Sequence, residues 1–388
     1  MSESRAYLDW NATAPLRPEA RAALAAHWDV AGNPSSVHAE GRAARALVEN
    51  ARQALAQAVD ASARDVIFTS GGTEANVLAL TPGLMRKGGP RAERLIVSAV
   101  EHMSVLAGGR FERADVVIAP VDCNGVIDLD ALRELVDGKP PAVVSVMLAN
   151  NETGAIQPIA EIADIVHDAG GLLHVDAVQA LGKIPVSLRE LRADLLSVSA
   201  HKVGGPKGIG ALVVADGVLG LDPAIRGGGQ ERGRRAGTEN VAGIMAFGAA
   251  VTAAVVSLAQ ESAAMVTLRH RLEAGLKLYP GTVIFAEAVP RLPNTTLFSA
   301  PGLKAETAVI RFDLEGVALS SGSACSSGKV QPSHVLAAMG VAPDLIQGAL
   351  RLSLGWQTQV ADIDRCLEAW RKLSGVLRRG HETGLERF

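Results

Sequence analysis

Cysteine is scarce in this chain: among 388 residues there are only Cys123, Cys325 and Cys366. Three widely spaced thiols exclude a disulfide framework and a zinc knuckle, so no metal site is expected. An excess of one charge is lacking too. The formal net charge is -3, with Lys and Arg spread along the chain. That leaves no basic footprint for a nucleic acid. Met1 to Leu8 holds no apolar core of a signal peptide, and a reducing cytoplasm is the expectation. There is no internal repeat and no low-complexity tract. Only Val241–Gln260 is an uncharged run long enough to cross a bilayer. It is rich in Ala and Gly, poor in Leu, and has no aromatic residue at its ends, so it reads as a buried helix and no membrane partner is expected. What the chain does have is apolar mass: 48% hydrophobic residues, mostly Ala, Val and Leu. The length exceeds one simple core and suits two domains.

The first two-thirds alternate short apolar runs with helical stretches. Strands are expected at Val66–Thr69, Leu95–Ser98, Val116–Ala119, Ala142–Leu148, Leu172–Asp176, Leu195–Ser199 and Ala211–Val214. Several are continuous apolar runs, as in strands covered on both faces. Helices are expected at Ala39–Val59, Thr73–Leu80, Leu129–Val136 and Ile159–Ala169. This alternation predicts an α/β fold with a mostly parallel, doubly wound sheet. The stretch from Val241 to about Leu276 reads as one long or kinked helix, bridging to a part with Pro/Asn-punctuated strands. The expected division is a large domain at 15–255 and a smaller α+β domain at 256–388, joined by 1–14.

Seven segments carry polar chemistry. Ser199-Ala200-His201-Lys202 ends a strand before a glycine-rich turn, where a neutral lysine can meet a carbonyl. Alone it reads as an exposed lysine before a flexible loop, and only its neighbours reverse that reading. Leu172-Leu173-His174-Val175-Asp176 ends in an acid, at the strand end where ligands of such sheets bind. Asp176 fits the ring nitrogen of a cofactor, or a helix N-cap, and Gln179 lies on the same turn. Ser70-Gly71-Gly72-Thr73 opens a helix whose free N–H groups suit a phosphate, or is an ordinary capped helix start. It lacks the lysine and spacing of a nucleotide-binding P-loop. His102 follows a strand, where a histidine stacks on a ring or moves protons, or alone reads as a structural surface histidine. Asn150-Asn151-Glu152-Thr153-Gly154 is a polar turn in which Asn151 is the candidate contact. Ser320–Gly328 is a loop of small residues with Cys325 in its middle, placed for reactivity rather than packing. Arg351, in Leu350–Leu354, can grip a carboxylate with two nitrogens, or serve as a polar face residue. Cys123 and Cys366 are read as incidental thiols.

The ordered set SGGTEAN, EH, NNETG, HVDAVQ, SAHK, RRAGTEN, SGSACSSG and RLSLG resembles the NifS/IscS-type cysteine desulfurases, in the class V branch of fold-type I pyridoxal-phosphate (PLP) enzymes. The resemblance runs from Tyr7 to about Gly355. It implies a fold-type I PLP-dependent transferase with a seven-stranded large-domain sheet, and PLP as the cofactor. It implies that Lys202 forms the internal aldimine and that Asp176 pairs with the pyridine nitrogen. Gln179 and Asn151 then contact the ring oxygen or substrate, and His102 stacks on the ring and shuttles protons. Thr73, beside Gly72, together with Ser199 and His201 holds the phosphate. Thr238 reaches the phosphate of a partner subunit, which implies a homodimer. Arg351, helped by Asn33, binds the carboxylate of L-cysteine. Lys202 removes the α-proton, and Cys325 takes the sulfur as a persulfide, leaving alanine. An iron-sulfur scaffold is one kind of acceptor expected to follow.

Trp10, Ala14 and Met103 depart from the usual choices without removing a catalytic group. The short stretch after Leu373–Arg379 leans toward a NifS-like or general desulfurase rather than the long-tailed housekeeping form. A transaminase or selenocysteine lyase would share the fold, but a transaminase needs no thiol like Cys325. A catalytically idle sulfur relay would be expected to lose Lys202 or Asp176.

Overall fold

A computed structural model describes residues 5–322 and 332–385. Its centre is a seven-stranded sheet in the order Val66–Thr69, Gly210–Val214, Leu195–Ser199, Leu172–Asp176, Ala142–Met147, Arg94–Ser98, Val116–Ala119. Only Gly210–Val214 runs against its neighbours; the other pairings are parallel. The expected strands and the mostly parallel sheet are present, with ends moved by a residue.

The apolar runs form central strands because both faces are covered. Ile96, Val144, Val146, Leu173, Val175, Leu196 and Val198 belong to one buried cluster. Leu95, Val97, Val143, Leu172 and Leu195, the alternate positions, belong to the cluster on the other face. His174 is the one imidazole sealed within these strands. Ser145 and Ser197 hydroxyls each lie 2.8 Å from one of its ring nitrogens, and burial pushes its pKa down to about 3, so it is a neutral core residue.

Val241–Leu276 is one continuous helix, packed against helices Pro18–His27 and Ala39–Ala58. Its first half places Ile244, Phe247, Ala250, Val251 and Ala254 in the main core. Its last turns place Met265, Leu268, Leu272 and Leu276 in a second core. The expected boundary near residue 255 therefore falls inside this helix. The second core covers a four-stranded antiparallel sheet, Val283–Ile284, Thr295–Ser299, Leu350–Ser353 and Ser320–Ser321. Ala6 and Leu8 are buried in this second core, and Ala6–Tyr7 pairs with Val317–Ala318.

The opening segment then crosses from the second core to the edge of the large sheet. Trp10 is the hinge of that crossing. Its ring meets Trp356 edge-on at 4.6 Å, and its Nε1–H donates to Tyr7 O at 2.9 Å. Gly355 lies under the ring, where a Cβ would come within 2.0 Å of Trp10. The unusual tryptophan is thus matched to a glycine far along the chain.

Candidate active site

All strands of the large sheet except Gly210–Val214 point the same way, so their carboxyl ends share one edge. Asp176 ends its strand there, and Lys202 sits in the short turn Ala200–Lys202 after another. The segments after Thr69, Ser98 and Met147 deliver Gly72 and Thr73, His102, and Asn151 to the same edge. A cavity of about 260 Å³ opens there. It is lined by Gly72, Thr73, His102, Asn151, Asp176, Gln179, Ser199, His201, Lys202 and Arg351, together with Asn11, Asn76 and Ser104. Residues separated by as many as 340 positions in the sequence meet because the small sheet brings Arg351 over the strand ends.

The Lys202 ammonium donates to the carbonyls of Asn11 and Ala12, the latter at 2.9 Å. The opening segment thereby forms part of the cavity wall. Asn11 holds it in place: its amide donates to Asn151 O at 3.2 Å and Thr295 Oγ1 at 2.9 Å. Asn294 donates to its side-chain oxygen at 3.1 Å.

Asp176 is buried, and burial raises its pKa above the usual carboxylate value. Two hydrogen bonds pull it back: Val178 N–H donates to Oδ1 at 2.9 Å and Asn76 Nδ2 to Oδ2 at 2.8 Å. The same Asn76 nitrogen donates to Ser104 Oγ at 2.9 Å. The Ser104 hydroxyl lies 2.8 Å from His102 Nδ1, and the Ser104 backbone N–H donates to that nitrogen at 3.1 Å. A backbone N–H can only donate, so His102 Nδ1 accepts and the neutral ring carries its proton on Nε2. Burial lowers the His102 pKa, the Asp176 charge opposes this, and Lys202 and His334 reinforce it. His201 is pushed down to about 4, chiefly by burial and then by Lys202, Lys207 and Lys183. Its Nδ1 lies 3.2 Å from Thr13 Oγ1.

Arg351 is 1% exposed. One terminal nitrogen donates to Asp9 Oδ1 at 2.8 Å and the other to Asn151 O at 3.0 Å. Its Nε has no hydrogen-bond partner among the described residues. Buried polar atoms are normally paired, so a donor left over beside a cavity marks a place for a ligand oxygen.

Two expected residues are not brought into this cavity. Asn33 is exposed and accepts from Ser35 N–H at 2.9 Å in its own turn. Thr238 lines a separate pocket with Phe68, Ser70, Glu231 and Arg235. Cys325 lies outside the described residues. Of the other thiols, Cys123 is exposed, and Cys366 is buried in the second core with its pKa pushed up to about 12. Asn11, Asn76 and Ser104 are the site residues that sequence reasoning missed. Asn76 had a signal, since it stands three residues after Thr73 and shares its helix face.

Glu152, beside Asn151, is buried, and burial raises its pKa to about 7. The Ser333 hydroxyl donates to its Oε2 at 2.5 Å and opposes the rise, as does the Arg351 charge. The proton is bound more tightly in the fold than in the unfolded chain. Its stabilising contribution is complete below 4.5, the ordinary value, and is lost as pH rises through about 7. Each unit is worth about 1.4 kcal/mol. Glu152→Gln is expected to melt like the parent at pH 5 and above it at pH 8. Equal melting differences at both pH values would contradict this ionisation.

The family model described as aminotransferase class-V matches residues 6–366. The chain belongs to the class-V aminotransferase family. Within that family, relatives of this chain are named cysteine desulfurases. It is 44% identical to a cysteine desulfurase of Cereibacter sphaeroides, over 98% of this chain and 99% of that one. It is 40% identical to the cysteine desulfurase IscS of Dictyoglomus turgidum, over 96% and 95%. Among solved structures, a NifS-like protein from Rickettsia africae superposes with a TM-score of 0.85 at 34% identity, over 95% of this chain and 99% of that chain. SspA in complex with cysteine superposes with a TM-score of 0.74 at 29% identity, over 90% and 98%. The class-V fold, a seven-stranded sheet with helices and a small second sheet, is therefore shared along nearly the whole chain.

Proposed function

We propose that this class-V enzyme is a PLP-dependent cysteine desulfurase, which converts L-cysteine to L-alanine and loads the sulfur on Cys325. The observation that carries the reading is the convergence of Lys202, Asp176, His102 and Arg351 on one cavity at the strand ends. The residues present fit the cofactor. A buried carboxylate, Asp176, is held by two donors and suits a protonated ring nitrogen. Asn76 Oδ1 is a further buried acceptor with no partner among the described residues. Gly72 lines the cavity, and a Cβ there would come within 2.9 Å of the Val178 side chain, so glycine avoids crowding at the helix start where a phosphate would bind. Thr73, Ser199 and His201 would hold the phosphate. Asp176, Gln179 and His102 would hold the ring.

When bound, PLP supplies the electron sink that makes the α-proton of cysteine acidic. Lys202 would anchor the cofactor, and its free amine would remove that proton. Arg351 binds the substrate carboxylate, using the Nε that its partners leave over. His102 starts as a donor at Nε2, and takes a proton at Nδ1 only by giving up the Ser104 N–H contact. The Cys325 thiolate attacks the substrate sulfur. The carbon–sulfur bond breaks, a sulfur–sulfur bond forms on Cys325, and the carbon skeleton takes up one proton at Cβ and one at Cα to leave as alanine. An acceptor protein, such as an iron-sulfur scaffold, then removes the outer sulfur. A homodimer would bring Thr238 of each copy to its neighbour's phosphate.

The test is stoichiometric. With cysteine and a reductant, the PLP-loaded protein is expected to release alanine and sulfide one to one. Cys325→Ala is expected to keep the visible band of the cofactor and to lose sulfide release by at least about 100-fold, the scale of a lost nucleophile. Full sulfide release by Cys325→Ala would overturn the persulfide assignment.

A further inference from the structure

Behind Gln179 lies a lysine to which the chemistry above gives no part. Lys183 is 6% exposed, and burial drives its pKa well below the ordinary lysine value, with the Lys202 and Arg351 charges adding to the effect. A buried amine is costly unless its hydrogens are used. Here they are used on one residue. Lys183 Nζ donates to the Gln179 backbone carbonyl at 3.0 Å and to its side-chain oxygen at 2.7 Å. At the other end of the same amide, Gln179 Nε2 donates to Asn11 O at 3.0 Å. Asn11 O also accepts from Lys202. The amide is clamped from both sides.

A glutamine side chain can turn over, exchanging its oxygen for its NH2 group, at little cost where nothing holds it. Gln179 lines the cavity, so which end it presents decides whether the cavity meets a donor or an acceptor. With the oxygen engaged by Lys183 and one N–H by Asn11, the group left to offer is the second N–H. A phenolic oxygen on a cofactor ring needs a donor there; an amide oxygen would repel it.

We propose that Lys183 is a positioning residue for the reaction: it holds the Gln179 side-chain oxygen from behind, so that Gln179 presents an N–H to the ring oxygen of bound PLP. This rests on the PLP reading above. The consequence is spectroscopic. A donor at the ring oxygen favours the chromophore that has lost its proton, in which that oxygen carries the greater negative charge. Losing the donor raises the pH at which the visible band titrates.

The experiment is an absorbance titration of the PLP-loaded protein and its variants, with melting temperature measured alongside. Lys183→Met, of similar length and apolar, is expected to raise the titration midpoint by about one pH unit, a ten-fold change in proton affinity. Gln179→Leu, with Lys183 intact, is expected to raise it by a similar amount. This variant keeps the idea testable if Lys183→Met does not fold. In the Gln179→Leu background, Lys183→Met should then add less than about a third of its single effect, because residues that act through one another are not additive. An unmoved midpoint in either single variant overturns the proposal. Fully additive shifts also overturn it, since Lys183 would then act by its charge alone. A lysine that only fills space would change the melting temperature without moving the band. Parent protein that takes up no PLP would sink the cofactor reading and this inference together. Normal PLP uptake and sulfide release with unmoved midpoints would sink this inference alone.

Discussion

Lys202→Ala is expected to abolish covalent attachment of PLP and to lower cysteine turnover by about 10⁴-fold, near 5.5 kcal/mol of barrier. Two functions are lost at once: the amine that anchors the cofactor and the base that takes the α-proton. Borohydride treatment followed by mass measurement reads the first, since the parent should gain a fixed cofactor and the variant none. Alanine formation reads the second. The loss should not be a folding defect. Lys202 donates to two backbone carbonyls, Asn11 O and Ala12 O, which both border the cavity and can turn to water when the amine is gone. A melting temperature near that of the parent is therefore part of the expectation. A variant that still fixes cofactor would mean that another lysine holds it, and Lys183, the other buried amine close by, would be the first to examine.

Asp176→Asn is expected to cost about 10³-fold in turnover while leaving Lys202 attached to PLP. The carboxylate is what keeps a proton on the ring nitrogen, and an amide cannot balance that charge. The replacement also disturbs its neighbours. Asn76 Nδ2 donates to Asp176 and to Ser104, and the Ser104 hydroxyl reaches His102. An amide NH2 placed against Asn76 Nδ2 opposes donor to donor, so the defect should extend to His102 and appear as an altered pH profile. The sign for the parent follows from burial. The folded pKa of Asp176 is raised above 3.8, so its charge, and activity with it, is present above that raised value and is lost as pH falls through it. In Asp176→Asn this acid limb should vanish. An unchanged acid limb in the variant would assign that limb to another group.

Much of the fold was legible because its strands announce themselves. Leu172–Asp176, Leu195–Ser199 and Ala142–Met147 are apolar on both faces, and this happens when helices cover a sheet from both sides. The extent of the long helix was legible too, since Val241–Leu276 has no glycine or proline signal strong enough to end it, but that it runs without a kink was not. Less legible was its division of labour. Nothing in a run of Ala and Val says that its first half enters one core and its last turns another.

The sequence by itself determined the candidate residues and the class of chemistry, because a lysine, an acid and a glycine turn at strand ends mark a sheet-edge site, and the ordered motifs mark a family. Tertiary structure decided how those residues are prepared. Asn11 and Arg351 join the site only because the opening segment and a strand of the small sheet fold over the large sheet's edge. The tautomer of His102 depends on Ser104, and the facing of Gln179 depends on Lys183 and Asn11. Such choices are made by hydrogen bonds between groups whose meeting is fixed by packing. Identity and spacing along the chain carry the groups themselves but not the direction in which each one donates.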